Sequence, residues 1–442
     1  EYRREATHLN FSKISLTDDT NNTDKEEKNV DPVVFEADHF IKSGNGIFPC
    51  QAAASLKNLH GIANPLCCAL HPADDSLLVT GGADSSLRLC LWGAALAPDA
   101  DSSARVVHSA PQLHFSAPVI STSFLCSSQI PGINALAVGL MDGSVHFASY
   151  DRIAAGAKTN LTLKSLLNSQ VIDDNVYGNS KTQPHHIKHS KFVKNLAWSP
   201  SEPILASASS DGTVRLTKVI SIFGNAVAGG VATKSAPTSM SIDEDDEEFS
   251  KSNKEPEIVT KEILTLHLPG PVEAMTFLNN GDVLCCYVRG TSYLSYFDLR
   301  DDCKQTKYSI NGGSLLDDHV SFTIMSLHPS PIEGGKYLAA ATDTSRNIIF
   351  EAGTPRQIRN LYGHQNDSYS NAKIAWSSSG QYLFGNTQED CSVCVWDIAS
   401  SSIIKRSAGH EGAIRDIFSS AYSDTLATVS YDKTVKIWLN MY

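Results

Sequence analysis

The sequence of 442 residues lacks hydrophobic runs of the length that a membrane helix requires. Apolar runs such as Leu66–Leu70 and Leu136–Leu140 fall far short of the roughly 20 residues that span a bilayer. We therefore expect no membrane span. The chain begins with Glu1 instead of methionine, so we expect it to be a fragment or a processed chain.

Positive charge is also scarce in this sequence. It has 36 Lys and Arg against 48 Asp and Glu, which gives a formal net charge of −12 at pH 7. An acidic surface repels phosphate backbones and anionic lipid headgroups, which disfavours nucleic acid as a partner. The candidate basic stretch is Lys181–Lys194, where Lys188, Lys191 and Lys194 lie among histidines.

A disulfide framework and catalytic signatures are missing as well. The sequence has ten cysteines without the even spacing of a disulfide framework, and those inside apolar runs are Cys67, Cys68, Cys90, Cys285, Cys286 and Cys394. This pattern favours a reducing compartment and an intracellular protein of the cytoplasm or nucleus. No G-x-S-x-G, H-E-x-x-H or protein-kinase set occurs, so no enzyme class has a positive signal. We predict no catalytic residue, no small-molecule substrate, no cofactor and no metal.

The sequence does contain an internal repeat. Gly363-His364 is followed by an apolar segment, then Asp390, then Trp396, and the same order recurs from Gly409-His410 to Trp438, with the histidines 46 residues apart. Each copy has three short apolar segments separated by Ser, Gly and Asp turns. This spacing predicts antiparallel strands instead of helices.

The pattern resembles the WD-repeat family, whose repeats begin near Gly-His and end near Trp-Asp, as Gly363-His364 and Trp396-Asp397 do here. Five weaker copies precede the two strong ones and begin at His60, His114, His189, His267 and His319. The resemblance implies an all-β, seven-bladed β-propeller of four-stranded antiparallel blades. Ala52–Leu56 is expected to supply the outer strand of the last blade and close the ring.

This resemblance also implies the domain organisation. Residues 1–45 are predicted to be a partly flexible N-terminal extension, and residues 46–442 the propeller, with insertions at about 151–184 and 219–262. The second insertion carries the acidic block Asp243–Glu248. We interpret it as a solvated loop, and the alternative is a docking or regulatory segment.

By the same resemblance, a His, a Ser, an Asp and a Trp in each blade form a buried hydrogen-bond network. A hydrolase triad of His410, Ser430 and Asp432 is the alternative, but a set that recurs in several blades favours architecture. The residues assigned to the network are His189, Ser209, Asp211, His364, Asp390, Trp396, His410, Ser430, Asp432 and Trp438.

Two other groups suggest metal ligation as an alternative. Cys391 and Cys394 form a C-x-x-C, and His185, His186 and His189 are close in sequence. The cysteines begin a predicted strand without a second pair nearby, and the histidines lie in a loop that leads into the third blade. We predict a structural role for both groups.

The function implied by the resemblance is a non-catalytic scaffold that assembles a multiprotein complex. A propeller presents loops from every blade on two faces, and nothing in this sequence resembles catalytic chemistry. The expected partners are other proteins or peptides, with this chain as a subunit of a larger complex. Family geometry suggests top-rim contact positions at Lys194, Tyr369, Gly412 and Arg415.

Two alternative functions remain. Tyr296–Arg300 is similar to the Trp-Asp-x-Arg ending by which some WD-repeat receptors engage the adaptor of a cullin-RING ubiquitin ligase, which makes Arg300 a candidate contact of a substrate receptor. The other alternative is an enzyme that uses a propeller as its frame. Such an enzyme requires a pocket that concentrates titratable groups with shifted pKa values.

Overall fold

In the computed structural model of this protein, the described residues are 44–92, 111–125, 134–155, 158–172, 181–184, 186–223, 257–311, 320–332, 334–367 and 371–440. Contacts divide the chain into residues 1–41, which lie outside these ranges, and residues 42–442. The described part of the second unit contains thirty β-strands and a short 3-10 turn at Asn279–Gly281. No described segment forms a helix long and apolar enough to cross a bilayer.

The strands follow one another as antiparallel meanders, which we number as blades. The first strand of the chain is β1 (Gln51–Lys57). Blade one contains β2 (Pro65–His71), β3 (Asp74–Gly82), β4 (Ser86–Leu91) and β5 (Gln112–His114). Blade two contains β6 (Val119–Phe124), β7 (Ala135–Leu140), β8 (Ser144–Ala155) and β9 (Lys158–Ile172), with the short strands β10 (Lys181–Pro184) and β11 (Ile187–Lys188).

The next blades repeat this order. Blade three contains β12 (Val193–Trp198), β13 (Ile204–Ser209), β14 (Thr213–Phe223) and β15 (Glu257–His267). Blade four contains β16 (Val272–Leu278), β17 (Val283–Val288), β18 (Tyr293–Asp298) and β19 (Lys304–Ser309). Blade five contains β20 (Ile324–Pro329), β21 (Tyr337–Thr342), β22 (Asn347–Glu351) and β23 (Gln357–Leu361).

The C-terminal strands complete the series. Blade six contains β24 (Ile374–Trp376), β25 (Tyr382–Asn386), β26 (Val393–Asp397) and β27 (Ser402–Ser407). Blade seven contains β28 (Ile414–Ser419), β29 (Thr425–Ser430), β30 (Thr434–Leu439) and, as its outer strand, β1. The described strands thus form five four-stranded sheets, and the strands of blades two and three lie together in a ten-stranded sheet.

The blades form a closed ring. The first strand of each blade contacts the first strand of the next, and β28 of blade seven contacts β2 of blade one. β1 pairs antiparallel with β30 along its whole length, and the N–H of Cys50 donates to the carbonyl of Leu439 at 3.1 Å. The predicted β-propeller, closed by an N-terminal strand, is confirmed. Pairing the first strand with the last removes one exposed sheet edge.

The core lies between neighbouring blades and explains the short apolar runs of the sequence. All six residues of the second strands β7, β21 and β29 are buried, so these strands carry apolar or small side chains on both faces. Trp396 and Trp438, on the third strands of blades six and seven, are among the largest fully buried side chains. Each blade therefore depends on its neighbours for burial of its faces.

Blades two and three differ from the others because they share one sheet. Leu167–Gln170 of β9 pair in parallel with Glu257–Thr260 of β15, which joins the outer strands of the two blades. Much of 151–184, expected as an insertion, lies in β8, β9 and β10, and the ends of 219–262 lie in β14 and β15. The acidic block lies outside the described residues.

Candidate functional site

The histidine network is complete in blade seven. Nδ1 of His410 lies 2.9 Å from Oδ2 of Asp432, and Nε2 lies 2.7 Å from the hydroxyl of Thr428. The indole N–H of Trp438 donates to the same hydroxyl at 2.9 Å. This arrangement suits the tautomer in which Nδ1 donates to the carboxylate and Nε2 accepts from the hydroxyl. Every polar atom in the chain of contacts from Asp432 to Trp438 is thereby paired.

Blades one and three have similar histidine contacts. Nε2 of His189 lies 2.9 Å from the hydroxyl of Ser207, while Nδ1 lies 2.8 Å from the hydroxyl of Thr213 and 3.5 Å from Oδ2 of Asp211. In blade one, His60 lies between the hydroxyl of Thr80 at 3.0 Å and Oδ1 of Asp84 at 2.9 Å. These repeated contacts hold the loop before each first strand against the second strand and the turn that follows it.

The two predicted serines, Ser430 and Ser209, lie on the second strand two residues after the hydroxyl residue that contacts the histidine. Ser430 donates to the carbonyl of Gly412 at 2.7 Å and accepts from the N–H of Asp432 at 3.1 Å. Ser209 makes the equivalent bonds to the Lys191 carbonyl and the N–H of Asp211. The hydroxyl beside each histidine belongs to the residue two positions earlier, which shares the same face of the strand.

The pKa values of these groups follow from burial and hydrogen bonding. Burial lowers the pKa of His189 to about 4 and also lowers the pKa of His410, in each case against the attraction of the neighbouring carboxylate. Burial alone raises the pKa of Asp432, but hydrogen bonds from Thr434 and from the N–H of Glu411 outweigh it and lower the value to about 2. The network therefore pairs a neutral imidazole with a carboxylate at neutral pH.

Blade six departs from this arrangement. His364 is 1 % exposed, and neither ring nitrogen meets a hydroxyl or a carboxylate of the described residues. Gly385 occupies the strand position that is equivalent to Thr428 of blade seven. The two positions are equivalent because each pairs with the third-strand residue that lies two before the tryptophan of its blade. Asp390 lies 3.5 Å from Arg406 instead of contacting the histidine. Burial, together with the Arg406 guanidinium, lowers the pKa of His364 to about 4, against a hydrogen bond with the backbone of Thr344.

An axial cavity of about 350 Å³ opens where the first strands begin. Every blade contributes to its wall. The apolar lining residues are Leu66, Ile120, Met141, Phe192 and Met325. The polar lining residues are Lys194, Asn195, Glu273, Asn371, Lys373 and Arg415.

A shared backbone feature directs the side chains of this wall. In six blades, the lining residue is the second residue of the first strand and sits at a break in strand register. These residues are Leu66, Ile120, Lys194, Glu273, Met325 and Arg415. A β-bulge leaves one residue unpaired and re-aims its side chain. The repeated bulge therefore places a ring of side chains on the axis.

Ion pairs organise the polar part of the wall. The carboxylate of Glu273, 3 % exposed, binds Lys194 and accepts from Nε of Arg289 at 2.7 Å. Burial lowers the pKa of Lys194, against the hydrogen bond and attraction of Glu273. Nζ of Lys373 lies 3.4 Å from Asp416.

Arg415 differs from these paired cations. Its guanidinium lies 5.8 Å from the ring centroid of Tyr431, and no carboxylate of the described residues lies within 4.0 Å of it. Arg415 is therefore the cation of the lining with no described ion-pair partner.

The predicted contact residues fall into different places. Lys194 and Arg415 line the axial cavity, and Gly412 lies at the same end, where an added Cβ would approach the N–H of Asp432 to 2.9 Å. Tyr369 lies outside the described residues. Arg300 follows β18, which runs away from the cavity, and its Nε lies 2.6 Å from Asp282. The structure thus brings Lys194 and Arg415 together and separates Arg300 from them.

Sequence reasoning missed most of the cavity wall. Glu273, Met325, Met141 and Lys373 were not predicted contacts, although the first two share the bulge position of Lys194 and Arg415. The second residue of the first strand in each blade was the sequence position that could have predicted these cavity residues. The described residues contain no group of His, Cys, Asp and Glu arranged to hold a metal, while His185 lies outside them.

Three segments of the chain match the family model described as WD domain, G-beta repeat, at residues 180–217, 355–397 and 401–438. These segments cover all or part of the first three strands of blades three, six and seven. Together with the ring of sheets, the matches show a β-propeller in which three segments are WD40 repeats.

Known proteins share parts of this chain. Protein HIR1 of Mycosarcoma maydis is 30% identical over 122 residues, 28% of this chain and 11% of that protein. The guanine nucleotide-binding protein subunit beta of Saccharomyces cerevisiae is 24% identical over 145 residues, 33% of this chain and 30% of that protein. The U4/U6 small nuclear ribonucleoprotein PRP4-like protein of Arabidopsis thaliana is 35% identical over 57 residues, 13% and 10% of the two chains. The similarity therefore spans less than a third of each of these relatives.

Proposed function

We propose that this protein is a non-catalytic scaffold, a subunit of a multiprotein complex, which holds a partner protein or peptide over the axial cavity. The observation that carries the proposal is the set of bulge residues, which brings one side chain from each of six blades into the lining of one cavity. Bulges are over-represented beside functional sites because they re-aim side chains.

Two further observations support a binding role over a catalytic one. WD-repeat proteins are generally non-catalytic interaction scaffolds. In the cavity, Lys194 and Glu273 pair with each other and Lys373 pairs with Asp416, so these groups are engaged in ion pairs. The name of the PRP4-like relative places that protein in a small nuclear ribonucleoprotein, which supports an intracellular site of action in the nucleus or cytoplasm.

Affinity purification of the tagged intact protein from its native cells, followed by mass spectrometry, tests this proposal. The variants Met141→Glu and Arg415→Glu each place a carboxylate in the cavity wall, whereas Arg300→Glu makes the same charge change as Arg415→Glu at the other end of the ring. We expect stoichiometric partners with the wild type and with Arg300→Glu, and their loss with the two cavity variants.

Each of the other outcomes contradicts part of the proposal. Partners retained by all variants would exclude the cavity as the binding surface. A ubiquitin-ligase adaptor lost only with Arg300→Glu would favour the substrate-receptor alternative. If the wild type recovers no partner, the protein is not a scaffold. Circular dichroism and thermal midpoints of the purified variants establish that each one is folded.

A further inference from the structure

We propose, building on the scaffold function above, that the axial cavity binds a short acidic peptide segment of a partner, anchored by an apolar side chain. Arg415 would bind a ligand carboxylate, and the methionine-containing part of the wall would receive the apolar group. The proposal rests on the charge of the wall, on the absence of a carboxylate against Arg415 among the described residues, and on the apolar side chains that line the same cavity.

The charge of the cavity wall is opposite to that of the whole protein. The lining has three cations, Lys194, Lys373 and Arg415, against the single carboxylate of Glu273, while the chain carries a formal net charge of −12. A concave site lined by one sign of charge focuses the field and attracts ligands of the other sign. A basic partner would meet this positive wall at the centre of the ring.

Arg415 is the group best placed to select a carboxylate. Lys194 is held by Glu273 and Lys373 by Asp416, so an incoming anion would compete with an existing ion pair at either lysine. The described residues place no carboxylate against Arg415, and the Tyr431 ring lies 5.8 Å from its guanidinium. A guanidinium supported on an aromatic face keeps its donors available for a bidentate bond with a carboxylate.

The apolar part of the wall indicates that charge is not the only feature recognised. Met141 is 57 % exposed although it lines the cavity, and Met325 and Phe192 lie on the same wall. Methionine is flexible and polarizable, and it is common at surfaces that accept varied apolar side chains. A volume of about 350 Å³ lies near the lower end for ligand sites, which suits individual side chains of a peptide better than a folded domain.

Selection from a library of short random peptides, displayed on phage and presented to the immobilised intact protein, tests this proposal. We expect the enriched peptides to carry net negative charge and at least one large apolar residue. Enrichment is expected to disappear when Arg415→Glu replaces the wild type, and to persist with the matched charge change Arg300→Glu.

The strongest enriched peptide is then synthesised with a fluorescent label, and its affinity is measured by anisotropy. We expect Arg415→Glu to weaken binding by at least about tenfold, because it replaces a charge-assisted bond by repulsion. Arg415→Lys is expected to retain part of the affinity, and Met141→Glu to lose it. Raising the salt concentration is expected to weaken binding, since the attraction is partly screened.

Several results would overturn the proposal. These are enrichment of neutral or basic peptides, enrichment unaffected by Arg415→Glu, and no enrichment above background. A dimer of the protein that dissociates on Arg415→Glu in sedimentation analysis would identify a second copy of the chain as the occupant instead. If the cavity variants still lose native partners in the purification, the scaffold function stands and only the acidic ligand class is wrong. If the purification is also unaffected, both proposals are wrong.

Discussion

Blades six and seven follow one another in the chain, and both match the WD-repeat family model. In blade seven, His410 bonds to Asp432 and Thr428, and Trp438 bonds to the same threonine. In blade six, neither ring nitrogen of His364, which is also buried, meets a hydroxyl or a carboxylate of the described residues, and the tryptophan N–H donates to the Tyr362 carbonyl at 2.9 Å.

The contrast shows that the signature residues of a repeat do not by themselves produce the network. Blade six keeps the His, the Asp and the Trp, but Gly385 replaces the hydroxyl residue and Asp390 faces Arg406. A buried network stabilises a fold only when its members are all paired. We therefore expect substitutions in the two blades to have unequal effects, and the following predictions test that inequality.

The largest effect is expected for His410→Leu. The change leaves the buried hydroxyl of Thr428 and the carboxylate of Asp432 without the imidazole, which should lower the free energy of unfolding by about 3 kcal/mol. Urea denaturation followed by both tryptophan fluorescence and circular dichroism measures it, with coincident transitions as the test of two-state behaviour. A loss below about 1 kcal/mol would mean that the network adds little to stability.

The next effect is expected for Thr428→Val, which removes only the hydroxyl. Nε2 of His410 and the indole N–H of Trp438 both lose their partner, at a cost of about 2 kcal/mol in the free energy of unfolding. Thr428→Ser is the matched control, because it keeps the hydroxyl and loses only a methyl group. Equal losses for the two variants would show that packing, and not hydrogen bonding, explains the effect.

A smaller difference is expected between the two aspartates. Asp432 has a side chain that is 9% exposed and bonds to His410, whereas the Asp390 side chain is 44% exposed and pairs with Arg406. Asp432→Asn should cost about 1–2 kcal/mol at pH 7, and Asp390→Asn less than about 0.5 kcal/mol, as for surface ion pairs. Because the pKa of Asp432 is lowered to about 2, its contribution should disappear as the pH falls from about 4 to 2.

A small effect at neutral pH is also expected for His364→Leu. Because the His364 imidazole meets no hydroxyl or carboxylate of the described residues, an apolar replacement leaves no buried side-chain group unsatisfied. The free energy of unfolding should therefore change by less than about 1 kcal/mol. The histidine is neutral when folded, with a pKa of about 4 against an ordinary value of 6.5. Between these values the unfolded chain binds the extra proton, so wild-type stability falls as pH is lowered.

The variant should therefore lose less stability than the wild type between pH 6.5 and 4. Urea midpoints at several pH values measure the difference in slope, and His410→Leu serves as the comparison at each pH. A parallel pH dependence for wild type and His364→Leu would contradict the neutral state of this buried histidine.

Much of the fold was predictable because the repeat unit is local. Alternating apolar segments, Asp turns and the Gly-His and Trp-Asp ends lie within one blade, so they appear in the sequence at regular spacing. Closure by Ala52–Leu56 was also predictable, since the last strand of the chain was left without an outer neighbour. The extension of β8 and β9 into residues expected as an insertion was not predictable from the sequence. The pairing of β9 with β15 joins segments that are about ninety residues apart.

The sequence by itself determined that this chain forms a β-propeller, because hydrophobic alternation and turn residues act over a few positions. Only the tertiary structure shows that the histidines bond to Ser207 and Thr428, and not to Ser209 and Ser430. Residues two apart lie on the same face of a strand, so the geometry of the loop sets which hydroxyl meets the imidazole ring. The lining of the axial cavity likewise depends on the tertiary structure. Its wall combines one bulged residue from each of six blades that are far apart in sequence, and ring closure alone brings them together.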